Sequence, residues 1–137
     1  MSALDALLNP VYSEQTVSVT VGDRFIDPET GKPAVFKLRT LRQSERAEIR
    51  RRSRVTRDID GHKDNVVDND AFLARCIVEA CVDPDLRSAK LSEKYKSFAP
   101  DEMLKDMFLV PEYERLAKAF LSLNLPDEED TGEISKN

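Results

Sequence analysis

The clearest pattern near the start of the chain is alternation. From Gln15 to Val21, Val17, Val19 and Val21 fall on one face and Thr16, Ser18 and Thr20 on the other. Period 2 built from β-branched residues predicts a half-buried strand. A second run, residues 34–40, sets Ala34, Phe36 and Leu38 against Val35, Lys37 and Arg39. Between the runs lies Asp27-Pro-Glu-Thr-Gly31-Lys-Pro33, dense in turn formers. The two runs therefore predict a β-hairpin with a long loop. Two strands alone are barely stable in water, so the apolar face is expected to dock on helices or on another chain. Ahead of the hairpin, Leu4, Leu7 and Leu8 predict a short amphipathic helix over residues 2–9, stopped by Pro10.

After Leu41 the period becomes helical. Ser44 is the expected N-cap of a helix reaching about Arg54, with Glu45 and Glu48 near the positive end of its dipole. Residues 58–68 are polar and predict a loop. Asp68 or Asn69 is expected to cap the next helix, which runs to about Val82. Its apolar residues lie nearly all round, which places it at the centre of the domain, and Asp83-Pro84 is expected to end it. Residues 88–96 predict a short helix pinned by Leu91 and Tyr95. Pro100 and Pro111 each stand at the start of a further helix. The buried stripes of these last two are Met103, Leu104, Met107 and Phe108, and then Tyr113, Leu116, Ala117, Phe120 and Leu121. Both stripes are read as core, with a groove for a partner helix as the functional alternative.

The expectation is an α+β chain: an N-terminal β-hairpin, then a bundle of four to five α-helices, then a disordered acidic C-terminal tail. Its organisation reads as an N-terminal segment over residues 1–13, one domain over 14–125 (hairpin 14–40, helices 42–124) and a tail over 126–137. The 137 residues suit one domain with a modest core. No signal peptide is read at the start, and the most apolar stretch, residues 71–82, is far short of the ~20 residues of a membrane helix. A cytoplasmic protein is expected. Cys76 and Cys81, five apart in a helical pattern, would stand about 140° apart; they read as small buried hydrophobes in a reducing compartment.

Charge changes the picture. Residues 39–57 hold eight arginines against Glu45 and Glu48, a net of +6, so the rest of the chain carries −11 within a total of −5. The last twelve residues hold five acids and one lysine. On the expected helix, Arg42, Arg46, Arg50 and Arg54 recur at i+4 and form one stripe, with Arg51, Arg52 and Arg57 at its flanks. Like charges at that spacing weaken a helix by about 0.2–0.5 kcal/mol per pair. Three readings of the stripe stand: a solvated face, a surface for acidic protein (the protein's own tail included), or a nucleic-acid site. The acidic total and the absence of a recognisable nucleic-acid module count against the third.

Catalytic chemistry finds little support. The single histidine, His62, falls in the polar loop, and no Ser/Cys–His arrangement follows from the pattern. Two cysteines at this spacing do not make a zinc site. A calcium loop centred on Gly61 would need oxygen donors at Thr56 and Val67, and neither carries a carboxylate. Four isolated glycines supply no phosphate-binding loop. No cofactor, metal or enzymatic activity is expected.

The assembled motifs resemble a known family. They are Val17-Ser-Val-Thr-Val21, Asp23-Arg24-Phe25, Gly31-Lys-Pro33, Phe36-Lys-Leu-Arg39 and Glu45 with the arginine-rich helix. Further on come Cys81-Val-Asp-Pro-Asp-Leu86, Lys94-Tyr95, Pro100-Asp-Glu-Met-Leu104, and Phe108-Leu-Val-Pro-Glu112 with Leu116. Over roughly residues 14–124 the chain is similar to the XkdN-like tail assembly chaperones of phages and defective prophages with contractile tails. It departs from that pattern in having Pro111 before Glu112 and no glycine near residues 121–125. The resemblance implies a non-enzymatic binder that keeps the tape measure protein soluble, delivers it for tail tube polymerisation and is absent from the finished particle. It also implies a longer frameshifted product in some relatives. Arg42, Arg46, Arg50 and Arg54 are then candidates to hold acidic client segments. The hairpin edges are candidates for strand addition to a second copy or a client. A structural tail or connector subunit, and a small nucleic-acid binder using residues 42–57, are the rival expectations.

Overall fold

The computed structural model describes residues 2–125. The expected tail, residues 126–137, lies outside them. The chain is α+β. The first hairpin forms from β1 (Thr16–Val19) and β2 (Phe36–Arg39), with Leu38 opposite Val17. Phe36 and Leu38 are buried, Val17 and Val19 are partly buried and Val21 is buried, as the alternation predicts.

The hairpin is not a lone pair. Residues Cys81–Asp83 form a third strand, β5, antiparallel to β2, so the sheet order is β1-β2-β5. The central helix therefore stops two residues short of the expected Val82. It is α3 (Asn69–Ala80), capped by the Asp68 side chain, which accepts from the Ala71 N–H at 3.2 Å. Asp83 precedes a proline, which disfavours helical backbone there, and the extended residues find ladder partners on β2. Cys81 consequently sits on a strand and not on the helix, although both cysteines are buried.

The sheet's inner face meets α3 and α6 (Val110–Asn124), and α5 (Pro100–Met107) packs on α3. The core joins Leu38, Ile49, Ile77, Leu86, Met103, Leu104 and Leu116, each 2% exposed or less. Between α3 and α5 on the chain runs the expected short helix, α4 (Ala89–Tyr95), capped by the Ser88 side chain. Ahead of the sheet, α1 (Ala3–Leu8) carries a Ser2–Asp5 capping box and buries none of its residues.

Two arginines fasten this core. Arg24, in the long loop, grips Glu112 with two hydrogen bonds (2.9 and 2.6 Å) and also donates to the Met107 carbonyl at 2.7 Å. Glu112 in turn accepts from the Leu109 N–H, capping α6. The loop is thereby tied to the α5–α6 corner, where Phe25 meets Phe108 edge-on at 5.7 Å. Arg75 on α3 donates to the Arg52 carbonyl and to Ser53 Oγ, and pairs with Asp101 on α5 at 3.3 Å.

The largest departure from expectation lies at residues 53–67. The arginine-rich helix, α2 (Gln43–Arg52), is followed by β3 (Arg54–Ile59) and β4 (His62–Val67), an exposed antiparallel hairpin where a polar loop was expected. Ile59 pairs with His62, so the turn is the two residues Asp60-Gly61, both at positive φ (50° and 82°). That backbone matches the twist of a two-residue hairpin and is the one Asp-Gly favours. Ser53 ends the helix: it is 1% exposed, its hydroxyl donates to the Ile49 carbonyl, and it accepts from Arg75.

Candidate partner-binding groove

α2, α3 and α6 enclose an open, mainly apolar groove of about 270 Å³. Phe72, Leu73 and Cys76 on α3 face Phe120, Leu121 and Leu125 at the end of α6. Leu121, expected as core, is 38% exposed, because α6 presents its last turn to this groove. Asn124 closes one end: its side chain accepts from the Leu41 N–H at 2.7 Å and donates to the Phe120 carbonyl at 3.2 Å. It thereby ties the α6 C-terminus to the β2–α2 turn.

Arg42 and Arg46 line the groove, and among the described residues they are the only charged side chains that do. Arg42 is the N-cap of α2, one residue before the helix and two before the expected cap Ser44. Its N–H donates to Glu45 at 2.9 Å. Glu45 also receives two hydrogen bonds from Arg39 (2.9 and 2.7 Å), which hold its carboxyl at about 2; partial burial opposes this and the Arg42 N–H assists it. This junction sets the direction in which α2 leaves the sheet. Arg50, one turn beyond Arg46, lies over the Phe72 ring at 5.0 Å, a cation–π contact on a residue that also lines the groove.

The predicted four-arginine stripe is thus only partly one surface. Arg46 and Arg50 stand on α2, Arg42 caps it, and Arg54 stands on β3, because the helix ends at Arg52. Among the described residues Arg42, Arg46, Arg50 and Arg54 form no ion pair. Arg51 and Arg52 instead share Glu48, and Arg57 reaches Asp68 at 3.9 Å. The arginine-rich segment therefore divides into structural and uncommitted members, a division that spacing alone does not reveal. Phe72, Leu73 and Asn124 escaped the sequence reading as groove residues. An all-round apolar α3 gives no signal for which of its faces stays open.

Cys76, in the groove floor, is pushed up to about 11 by burial, against the pull of Arg46, Arg50 and Arg52. Cys81 is pushed up to about 12 by burial, and its thiol donates to the Pro84 carbonyl. Both are poor nucleophiles at neutral pH. His62 is exposed on β4. Among the described residues no three His, Cys, Asp or Glu side chains gather as a metal site, and no helix is long and apolar enough to cross a membrane.

A family model described as phage XkdN-like tail assembly chaperone protein matches residues 4–134. The chain belongs to this family. Two Bacillus subtilis (strain 168) relatives match at 29% identity: XkdN of the phage-like element PBSX over 129 residues, and the uncharacterised protein YqbN over 128. Each alignment covers 90% of this chain and 85% of the relative. The crystal structure of the protein YqbN superimposes with a TM-score of 0.70 at 24% identity, covering 89% of this chain and 96% of that one. At that identity the superposition establishes the shared fold. Membership of the tail assembly chaperone family agrees with the resemblance carried by the hairpin and the arginine-rich helix, and holds despite the departure at Pro111.

Proposed function

We propose that this chain is a non-enzymatic binder acting in the cytoplasm of the bacterial host, where it holds the tape measure protein of a contractile tail until tube subunits polymerise around it. The observation that carries this reading is the groove: an apolar floor of Phe72, Leu73, Phe120 and Leu121 flanked by Arg42 and Arg46, with Arg50 adjacent. An amphipathic helix with an acidic edge is the ligand that such a surface suits, its apolar stripe on the floor and its carboxylates on the guanidinium groups. Family membership supports tail assembly as the setting, and a relative from the phage-like element PBSX supports a phage or prophage origin. Arg42, Arg46 and Arg50 are assigned to client recognition. Arg54, on the exposed hairpin, is assigned an auxiliary contact. The tail tube protein is a second expected partner, and the free edge of β1 is the expected route of self-association.

The test is co-expression with the tape measure protein of the same genome, followed by pull-down at moderate salt. Co-purification and a larger soluble fraction of the client are expected. Two folded proteins that do not associate would contradict the proposal and favour a structural tail subunit, which particle composition would then reveal.

A further inference from the structure

The last described residue, Leu125, itself lines the arginine-flanked groove. The chain then continues as Pro126-Asp127-Glu128-Glu129-Asp130, four consecutive acids, with Glu133 shortly after. We propose that the acidic segment over residues 127–133 seats against Arg42 and Arg46 in this groove, so that the protein carries its own competitor for its binding surface.

Three observations support this occupant. The first is reach. Asp130 is five residues beyond Leu125, and extended chain spans ~3.3–3.6 Å per residue, so these acids explore up to ~17 Å from a point already on the groove wall. The second is charge. Among the described residues the groove's only charged lining residues are two arginines, and neither pairs with a carboxylate. The third is selectivity between surfaces. A second apolar recess, between α3, α5 and α6, is lined by Asp70, Asp101 and Glu114 against Lys105, and it would repel the same segment. Tethering raises the local concentration of a ligand carried on the same chain to the millimolar range. Several weak, exposed ion pairs therefore suffice in cis where they would not in trans. The attraction is between exposed charges, and its range falls from ~8 Å at physiological salt to ~3 Å at 1 M.

The consequence is competition: a client must outcompete the segment for Arg42 and Arg46. The inference concerns this chain alone and does not depend on which client the groove takes.

The experiment uses the full chain and a full-length variant, D127N/E128Q/E129Q/D130N, whose substitutions leave the described fold untouched. Side-chain Nε–H resonances of arginine are compared by NMR. In low salt, those of Arg42 and Arg46 are expected to differ between the two proteins, and 1 M NaCl is expected to erase the difference. Arg24, Arg39 and Arg75, held in structural pairs, should coincide in both. A synthetic peptide with the sequence of residues 126–137 is then titrated into each protein. It should bind the neutral-tail variant ~10-fold more tightly than the parent, the effect of removing a tethered competitor. Coincident Arg42 and Arg46 resonances in low salt, or equal peptide affinities, would overturn the proposal. So would resonance differences that disappear on dilution, since the occupant would then be the tail of a second copy.

Discussion

Glu45→Gln is the substitution whose cost the structure predicts most directly. The Glu45 carboxylate accepts two hydrogen bonds from Arg39 and one from the Arg42 N–H, so it locks the last residue of β2 to the first turn of α2. The Arg39 guanidinium is the main reason its carboxyl is lowered from the ordinary 4.5 to about 2. At ~1.4 kcal/mol per tenfold change in affinity for the proton, the difference at face value is roughly 3 kcal/mol. Solvent reaches 21% of the Arg39 side chain and 24% of that of Glu45. Screening and the entropy of holding two long side chains therefore reduce the expected contribution to about 1–1.5 kcal/mol. Glutamine retains an acceptor for the Arg42 N–H, so the loss is mainly the ionic part. The sign follows from linkage: the folded carboxyl is lowered, so its contribution is complete above 4.5 and fades as pH falls toward about 2. Urea unfolding followed by circular dichroism at pH 6 and pH 3 measures both. Parent and variant should differ by about 1–1.5 kcal/mol at pH 6, and by less than half of that at pH 3. Identical midpoints at pH 6, or a gap that widens in acid, would refute the reasoning.

Three further outcomes are expected. Leu38→Ala empties a site that is 0% exposed at the centre of the sheet and should cost about 2–5 kcal/mol in urea unfolding. Cys76 and Cys81, held up to about 11 and about 12 by burial, should resist a thiol reagent at pH 8 in the native protein and react on unfolding; fast native labelling would contradict their placement. Arg24→Lys keeps the charge but loses the forked grip on Glu112 and the bond to Met107, so its melting temperature should fall while that of Arg46→Gln stays near the parent's.

Periodicity carried much of the fold. The valine alternation placed β1, the prolines at 100 and 111 placed the starts of α5 and α6, and the stripe Met103–Leu104–Met107–Phe108 is buried throughout. What it missed has identifiable causes. The β3–β4 hairpin is exposed along nearly its whole length, so it has no apolar face to alternate with. Its legible signal was Asp60-Gly61, a pair that favours a two-residue turn. β5 is three residues long and continues an apolar run from α3, so composition does not mark the change from helix to strand. The site was legible as a charge anomaly and not as a geometry. The i+4 spacing placed Arg46 and Arg50 on one helix, α2. The end of α2 at Ser53 moved Arg54 onto β3. Which arginines are committed to structural pairs depends on partners as distant in sequence as Glu112 for Arg24 and Asp101 for Arg75.

The most direct test of the central claim is the affinity of the full chain for its tape measure protein, measured for the parent and for Arg42→Gln/Arg46→Gln/Arg50→Gln across a salt series. Urea unfolding serves as the control, since none of the three arginines forms an ion pair among the described residues. Recognition through this groove predicts a variant as stable as the parent, with markedly weaker client binding and a shallower salt dependence. Unchanged affinity and unchanged salt dependence in a stably folded variant would contradict it and move the client site to another surface.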